Sequence, residues 1–131
     1  MKVLIINDSP WEVQWVVDKL SLEHEVCAIE ETSVSTLHIT NIVNKFDVIV
    51  LDIYLHLREE KGILSSIDLR NIGSKGGIFI LKKIRKISNI PIIIWSKCHY
   101  SEIKNDIKDY ENVYFEHNLW EVSEIIRNIN K

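Results

Sequence analysis

Short runs of consecutive apolar residues alternate along this chain with segments whose apolar residues recur at helical spacing. An unbroken apolar run is typical of a strand buried on both faces, and it constrains the fold more than any other feature of the sequence. The strongest strand candidates built on such runs cover residues 3–6, 47–51 and 91–95, and weaker candidates cover residues 25–29 and 113–115. The pattern therefore predicts five strands.

The segments between these runs have the spacing of amphipathic helices. The first carries a single apolar stripe made of Val13, Val16, Val17 and Leu20. A helix after Gly76 and Gly77 is predicted to turn four side chains inward, namely Ile80, Leu81, Ile84 and Ile87. Other helices are predicted over residues 32–44 and 101–109 and from Leu119 onwards. Strands that alternate with helices predict one α/β domain, residues 1–131, whose parallel sheet is covered on both faces and joined by right-handed crossovers.

Residues 56–75 do not fit this alternation. They stand between a strand and a helix, where the usual connection has about 2–6 residues, yet they contain several apolar side chains. We expect an extended loop insertion, with an extra short helix near residues 63–70, that acts as a lid or a partner surface.

Composition excludes several classes of function. A formal charge of −3 argues against nucleic-acid binding through bulk electrostatics. No run approaches the roughly 20 apolar residues of a membrane helix, and the N-terminal run is too short for a signal peptide. Cys27 and Cys98 lack metal-ligand spacing and are expected to be buried or half-buried thiols. A cytoplasmic location follows as an expectation.

Polar residues stand where the predicted strands end. Asn7 and Asp8 follow the first strand and Asp52 the third, while Ser96 and His117 follow the fourth and fifth. In an open parallel sheet, ligands bind at the carboxyl ends of the strands. Two carboxylates there favour Mg²⁺, which in turn would let a carboxylate act as a nucleophile towards phosphorus. An aspartate after a strand also serves as an ordinary turn residue.

These segments resemble the receiver domains of response regulators, the CheY-like group. The run from Val3 to Pro10 is similar to the family's first strand and acidic pair, and residues 46–55 are similar to the strand that ends in the phosphoacceptor aspartate. Residues 81–85 and 91–96 continue the likeness. It implies a flavodoxin-like (βα)5 three-layer sandwich with strand order 2-1-3-4-5 and a long insertion between the third strand and the third helix.

The resemblance also implies a role for each matching residue. Asp52 would accept a phosphoryl group from a histidine kinase or phosphotransfer protein. Mg²⁺ would be bound by Asp8, by Asp52 and by the backbone carbonyl of Tyr54, with Asn7 contributing through a water molecule.

The switch residues implied by the family are Ser96, which would bind the phosphoryl oxygen, and Tyr114, the aromatic residue coupled to it. A downstream protein would read the change, and a homodimer is left open. The domain itself would not be an enzyme, apart from self-dephosphorylation.

Three departures from the family pattern weaken this assignment. Asn7 replaces the first acidic residue, and His56 replaces a proline. The family's lysine has no counterpart, and either His117 or Glu116 occupies its position. An imidazole is a poor substitute for a permanent ammonium group.

Two alternatives follow from these departures. The chain could be a phosphorylation-independent pseudo-receiver that serves as a protein-interaction module. It could also be a metal-dependent phosphohydrolase, for which His56 and His117 are the candidate general acid or base. Trp11 and Trp15, one helical turn apart, either cover the edge of the core or form a partner surface.

Overall fold

Five parallel strands form the centre of the molecule. The computed structural model describes residues 1–7, 9–29, 44–53, 76–96 and 99–129. The strands are β1 (Lys2–Ile6), β2 (Glu25–Ile29), β3 (Val48–Leu51), β4 (Ile92–Trp95) and β5 (Val113–Glu116). They form one sheet in the order β2-β1-β3-β4-β5, and every neighbouring pair is parallel. The predicted strand order is confirmed.

Four helices of the described residues cover the sheet. They are α1 (Pro10–Leu20), α2 (Gly76–Arg85), α3 (Tyr100–Ile107) and α4 (Leu119–Ile129). A proline occupies the first turn of α1, where its missing N–H is not needed. Of the helix predicted over residues 32–44, the described part is Asn44, which is helical together with Lys45. The predicted insertion, residues 56–75, lies outside the described residues.

The sheet separates two apolar cores. On one face, Val16 and Leu20 of α1 and Val122 and Ile126 of α4 pack against alternate residues of β1, β3 and β4. On the other face, α2 and α3 pack against the remaining strand residues. All four residues of β3 are buried, which explains why its sequence is continuously apolar. The result is the predicted three-layer α/β sandwich.

Two predictions about burial are wrong. Ile87 is 53% exposed, because α2 ends at Arg85 and the helical spacing no longer applies beyond it. Cys27 is an exposed free thiol, because β2 is an edge strand whose side chains are at most half-buried. Cys98 lies outside the described residues.

Backbone groups at the amino edge of the sheet, where the strands begin, are held by several hydrogen bonds. The guanidinium group of Arg85 donates to the backbone oxygens of Ser88, Glu111 and Asn112. Asn112, which has a positive φ of 61°, also donates from its side chain to the oxygen of Asn89 at 2.9 Å. These bonds fix the two loops that lead into β4 and β5.

Candidate functional site

Asn7 and Asp52 are neighbours at the carboxyl edge of the sheet. β1 and β3 are paired in register up to Ile6 and Leu51, and the N–H of Asp52 donates to the oxygen of Ile6 at 3.0 Å. The next residue of each strand therefore emerges at the same point. Asn7 is 2% exposed, whereas Asp52 is half-buried and accessible from solvent.

The side chain of Asn7 is occupied by local hydrogen bonds. Its Oδ1 accepts from the N–H of Ser9 at 2.8 Å, and its Nδ2 donates to Oε2 of Glu12 at 3.3 Å. Asn7 thereby connects the end of β1 to the first turn of α1. It also holds a second carboxylate, Glu12, close to this edge.

The backbone after β3 is fixed by a close approach to α2. Gly77 donates its N–H to the oxygen of Ile53 at 3.0 Å. A Cβ atom at position 77 would lie 2.1 Å from the oxygen of Asp52, a distance that no carbon–oxygen contact tolerates. Only glycine allows α2 to pack directly on the peptide of Asp52, and the position of Asp52 depends on that contact.

Ser96 brings a buried hydroxyl group to the same edge. It follows β4 directly and is 6% exposed. Its Oγ has no hydrogen-bond partner among the described residues. A buried hydroxyl group without a partner is costly, so this atom favours a ligand with a complementary polar group.

A pocket of about 300 Å³ opens above these residues. Its aromatic walls are the indole rings of Trp11, Trp15 and Trp95. Its polar side chains are Glu12, Asp52, Ser96 and His117. The pocket thus combines residues from the ends of β3, β4 and β5 with two turns of α1.

His117, and not Glu116, lines this pocket. The His117 ring makes an edge-on contact with Phe115 at 4.9 Å between centroids, and its backbone oxygen accepts from Nε1 of Trp95 at 3.1 Å. Glu116 lies beside Trp95 in the β4–β5 register. Of the two residues, His117 is thus the one that lines the pocket with Asp52 and Ser96, and which of them replaces the family's lysine stays a prediction.

Tyr114 lies on β5 and is 36% exposed. Its hydroxyl group donates to Oδ1 of Asn112 at 3.3 Å, towards the amino edge. It does not line the pocket that contains Ser96. Its coupling to Ser96 stays a prediction.

Two predicted metal ligands, Asp8 and Tyr54, lie outside the described residues. Among the described residues, no three His, Cys, Asp or Glu side chains are grouped in a way that could hold a metal ion. Mg²⁺ needs only one or two protein carboxylates because it keeps several waters. The carboxylate oxygens of Asp52 and Glu12 at this edge are the donor type that Mg²⁺ prefers, so its chemistry fits the residues present.

Sequence reasoning did not single out Glu12 or Trp95. It considered only the first residue after each strand, whereas Glu12 lies in the first turn of α1 and reaches back to Asn7. Trp95 is the last residue of β4, so the sequence pattern identified it only as part of an apolar strand. An acidic residue six positions after the end of β1 was the available signal for Glu12.

Solved structures with the same architecture include receiver domains of response regulators. A two-component response regulator from Clostridium difficile is 22% identical, with a TM-score of 0.69 over 99% of this chain and 95% of that chain. The BeF3-activated N-terminal receiver domain of RstA from Klebsiella pneumoniae is 11% identical, with a TM-score of 0.69 over 100% of both chains. TrrA from Thermotoga maritima, in complex with Mg(2+)-BeF, is 19% identical, with a TM-score of 0.62 over 98% of this chain and 97% of that chain.

No protein-family model matches the sequence, and no curated protein matches it significantly. Among the described residues, no helix has the length and apolar character that crossing a membrane requires. The structural neighbours confirm the fold that the resemblance implied. The chain has the fold of a response-regulator receiver domain, the CheY-like fold.

Proposed function

We propose that this chain is an atypical receiver domain that accepts a phosphoryl group on Asp52 in two-component signalling. The observation that carries the proposal is the position of Asp52: a half-buried carboxylate at the end of the central strand, in one pocket with the buried hydroxyl group of Ser96. A phosphodonor in solution can reach such a carboxylate. The neighbouring hydroxyl group can donate to a phosphoryl oxygen once it is bound.

In the proposed reaction, a carboxylate oxygen of Asp52 attacks the phosphorus of a phosphohistidine. The bond between phosphorus and the imidazole nitrogen breaks, and that nitrogen keeps the electron pair and takes up a proton. Ser96 then donates its hydroxyl hydrogen to an oxygen of the aspartyl phosphate. Water later hydrolyses the acyl phosphate, which is the self-dephosphorylation expected of a domain that is not otherwise an enzyme.

Mg²⁺ would be held by Asp52, Asp8 and the backbone oxygen of Tyr54. When bound, it neutralises charge on the phosphoryl oxygens. Asn7 already uses its Oδ1 to accept from Ser9, which supports a contribution through water rather than direct binding. The metal site thus has one carboxylate fewer than the family pattern, and we expect a weak affinity for Mg²⁺.

The test is phosphorylation by acetyl phosphate with MgCl₂, followed by intact-mass measurement. We expect one added phosphate in the wild-type protein and none in Asp52→Asn. The matched control is Asp109→Asn, which makes the same change at an exposed site on the opposite edge. An unmodified, folded wild-type protein would contradict the proposal, as would equal modification of both variants.

A second candidate function is a phosphorylation-independent interaction module. One observation favours it: of the described residues that line the pocket, none is a lysine or an arginine, and the residue of β5's end that lines it is His117. A folded protein that never acquires phosphate but still binds its partner would establish this function. The proposal also includes a histidine kinase or phosphotransfer protein as donor and a downstream protein as target, and it leaves a homodimer open. Turnover of an organic phosphate would instead support the phosphohydrolase.

A further inference from the structure

Trp95 is the last residue of β4 and directly precedes Ser96. Side chains of a strand alternate between the two faces of a sheet, and Trp95 packs, with Ile93, against the core that α1 and α4 cover. The β3–β4 pairing ends at Ile94, and the β4–β5 pairing ends at Trp95. Ser96 therefore lies just beyond the paired part of the strand.

The hydroxyl group of Ser96 is positioned through its backbone. Its Oγ is buried and has no hydrogen-bond partner among the described residues. The side chain of a serine is so short that its oxygen is located by the backbone and a single staggered rotamer. The contacts that hold the end of β4 in place therefore also set where this oxygen stands in the pocket that it shares with Asp52.

Two contacts hold the side chain of Trp95. Its indole N–H donates to the backbone oxygen of His117 at 3.1 Å. Its ring lies 6.1 Å from the ring of Trp15 between centroids, at an inclination of 51°. The first contact joins the end of β4 to the residue that follows β5, and the second joins it to α1. One side chain thus connects three elements around the pocket.

Trp120 offers a matched control for Trp95. It lies on α4, is 54% exposed, and is not among the described residues that line the pocket. Its ring contacts a different group, Nζ of Lys19, which lies 4.8 Å from the ring centroid. A change from tryptophan to phenylalanine at this position therefore alters an indole side chain without touching the end of β4.

We propose that Trp95 is a positioning residue for phosphoryl transfer to Asp52 and that it acts through the hydroxyl group of Ser96. The inference rests on the proposed function and adds no step to its reaction. The bond to His117 and the contact with Trp15 keep the end of β4 where the hydroxyl group can donate to a phosphoryl oxygen. A donor that is already in place lowers the barrier, because nothing has to rearrange as charge develops on that oxygen.

The test is the rate of Asp52 modification at several concentrations of acetyl phosphate with MgCl₂, followed by intact mass. Trp95→Phe keeps an aromatic ring but removes the indole N–H. We expect its maximal rate to be about fivefold lower, because a displaced hydroxyl group stabilises the transition state less. The half-saturating concentration of acetyl phosphate should not change, because Trp95 acts on the transfer and not on donor binding. Trp120→Phe should keep both wild-type values.

A double-mutant cycle with Ser96→Ala shows whether Trp95 acts through Ser96. In the Ser96→Ala protein, Trp95→Phe should cause no further loss of rate, because no hydroxyl group is left to position. Trp15→Leu removes the ring contact from α1 at an exposed site and should behave in the same way, so it keeps the test informative if Trp95→Phe does not fold. A further fivefold loss in the double variant, or a wild-type rate in Trp95→Phe, overturns the inference.

The same samples separate this inference from the proposed function. If the wild-type protein acquires one phosphate on Asp52 and the effects of Trp95→Phe and Ser96→Ala on the rate multiply, only the positioning role is contradicted. If the folded wild-type protein acquires no phosphate, the proposed function fails and the positioning role fails with it. Modification of the wild-type protein together with no added effect in the double variant supports both.

Discussion

The two edges of the sheet differ in how their polar groups are used. At the amino edge, Arg85 alone binds three backbone oxygens, and the N–H of Lys2 donates to Asp47 at 2.7 Å. At the carboxyl edge, Ser96 has no described partner for its hydroxyl group, and an aromatic pocket is open to solvent. At the amino edge, the described hydrogen bonds hold the loops in place. At the carboxyl edge, the pocket and the hydroxyl group of Ser96 are open to a ligand. Stability and function should be separable by mutation.

Gly77→Ala should have the largest effect, because it tests the close backbone approach of α2 to Asp52 at the carboxyl edge. The new Cβ would meet the oxygen of Asp52 at 2.1 Å, and this backbone atom cannot move without displacing β3 or α2. We expect a loss of about 3 kcal/mol in the free energy of unfolding, measured with urea, together with loss of Asp52 modification. Asn105→Ala, at an exposed site on α3, is the control. Wild-type stability would show that α2 does not press on Asp52.

Arg85→Ala tests the amino edge and should cost about 2 kcal/mol, because three carbonyl oxygens lose a charged donor. Arg127→Ala is its control. Arg127 pairs with Glu23 and Glu124 at an exposed site, where ion pairs contribute little, so its loss should be much smaller. Asp52 modification should survive in both variants. Equal losses in the free energy of unfolding would show that the bonds from Arg85 to the loops contribute no more than the exposed ion pairs of Arg127.

Ser96→Ala should separate function from stability at the carboxyl edge. Since the Oγ has no described partner, its removal should change the unfolding free energy by less than about 1 kcal/mol, with stabilisation the expected sign. The aspartyl phosphate should nevertheless become shorter-lived or harder to form, as measured by the time course of intact mass. A strong loss of stability would mean that the hydroxyl group is structural, and the contrast between the edges would fail.

The smallest expected effect is a pH dependence at the amino edge. Burial lowers the pKa of His24 below its ordinary value of 6.5, so the folded protein favours the neutral ring. As the pH falls, the ring of His24 therefore takes up a proton in the unfolded chain before it does so in the folded protein. The free energy of unfolding should decrease as the pH drops below about 6.5. His24→Gln should remove this part of the dependence in urea titrations at several pH values. An unchanged pH profile would assign the effect to another group.

The fold could be predicted because its determinants are local. Each strand of the centre is a continuous apolar run, and α1 and α4 carry apolar stripes, so element type and topology follow from period and order. Ile87 was assigned incorrectly because the helical spacing continues in sequence after the helix has ended. The exposure of Cys27 depends on β2 being at the edge, which no local pattern reveals.

The candidate site was only partly predictable. Asn7, Asp52 and Ser96 could be identified since strand ends converge in any parallel sheet. The pocket could not, because it depends on how α1 lies relative to β4, and this places Trp15 beside Trp95. The roles of Asp8 and Tyr54 remain predictions, since both lie outside the described residues.

The edge-on contact of His117 with Phe115 has one more consequence. Phe115 also packs against Tyr100 at 5.6 Å between centroids, and Tyr100 is 46% exposed at the start of α3. Three rings in series therefore connect the mouth of the cavity to the outside of the opposite layer. His117 and Tyr100 are the exposed ends of this row, and the half-buried Phe115 is the ring that touches both. A smaller aliphatic residue in place of Phe115 would therefore remove both ring contacts at once.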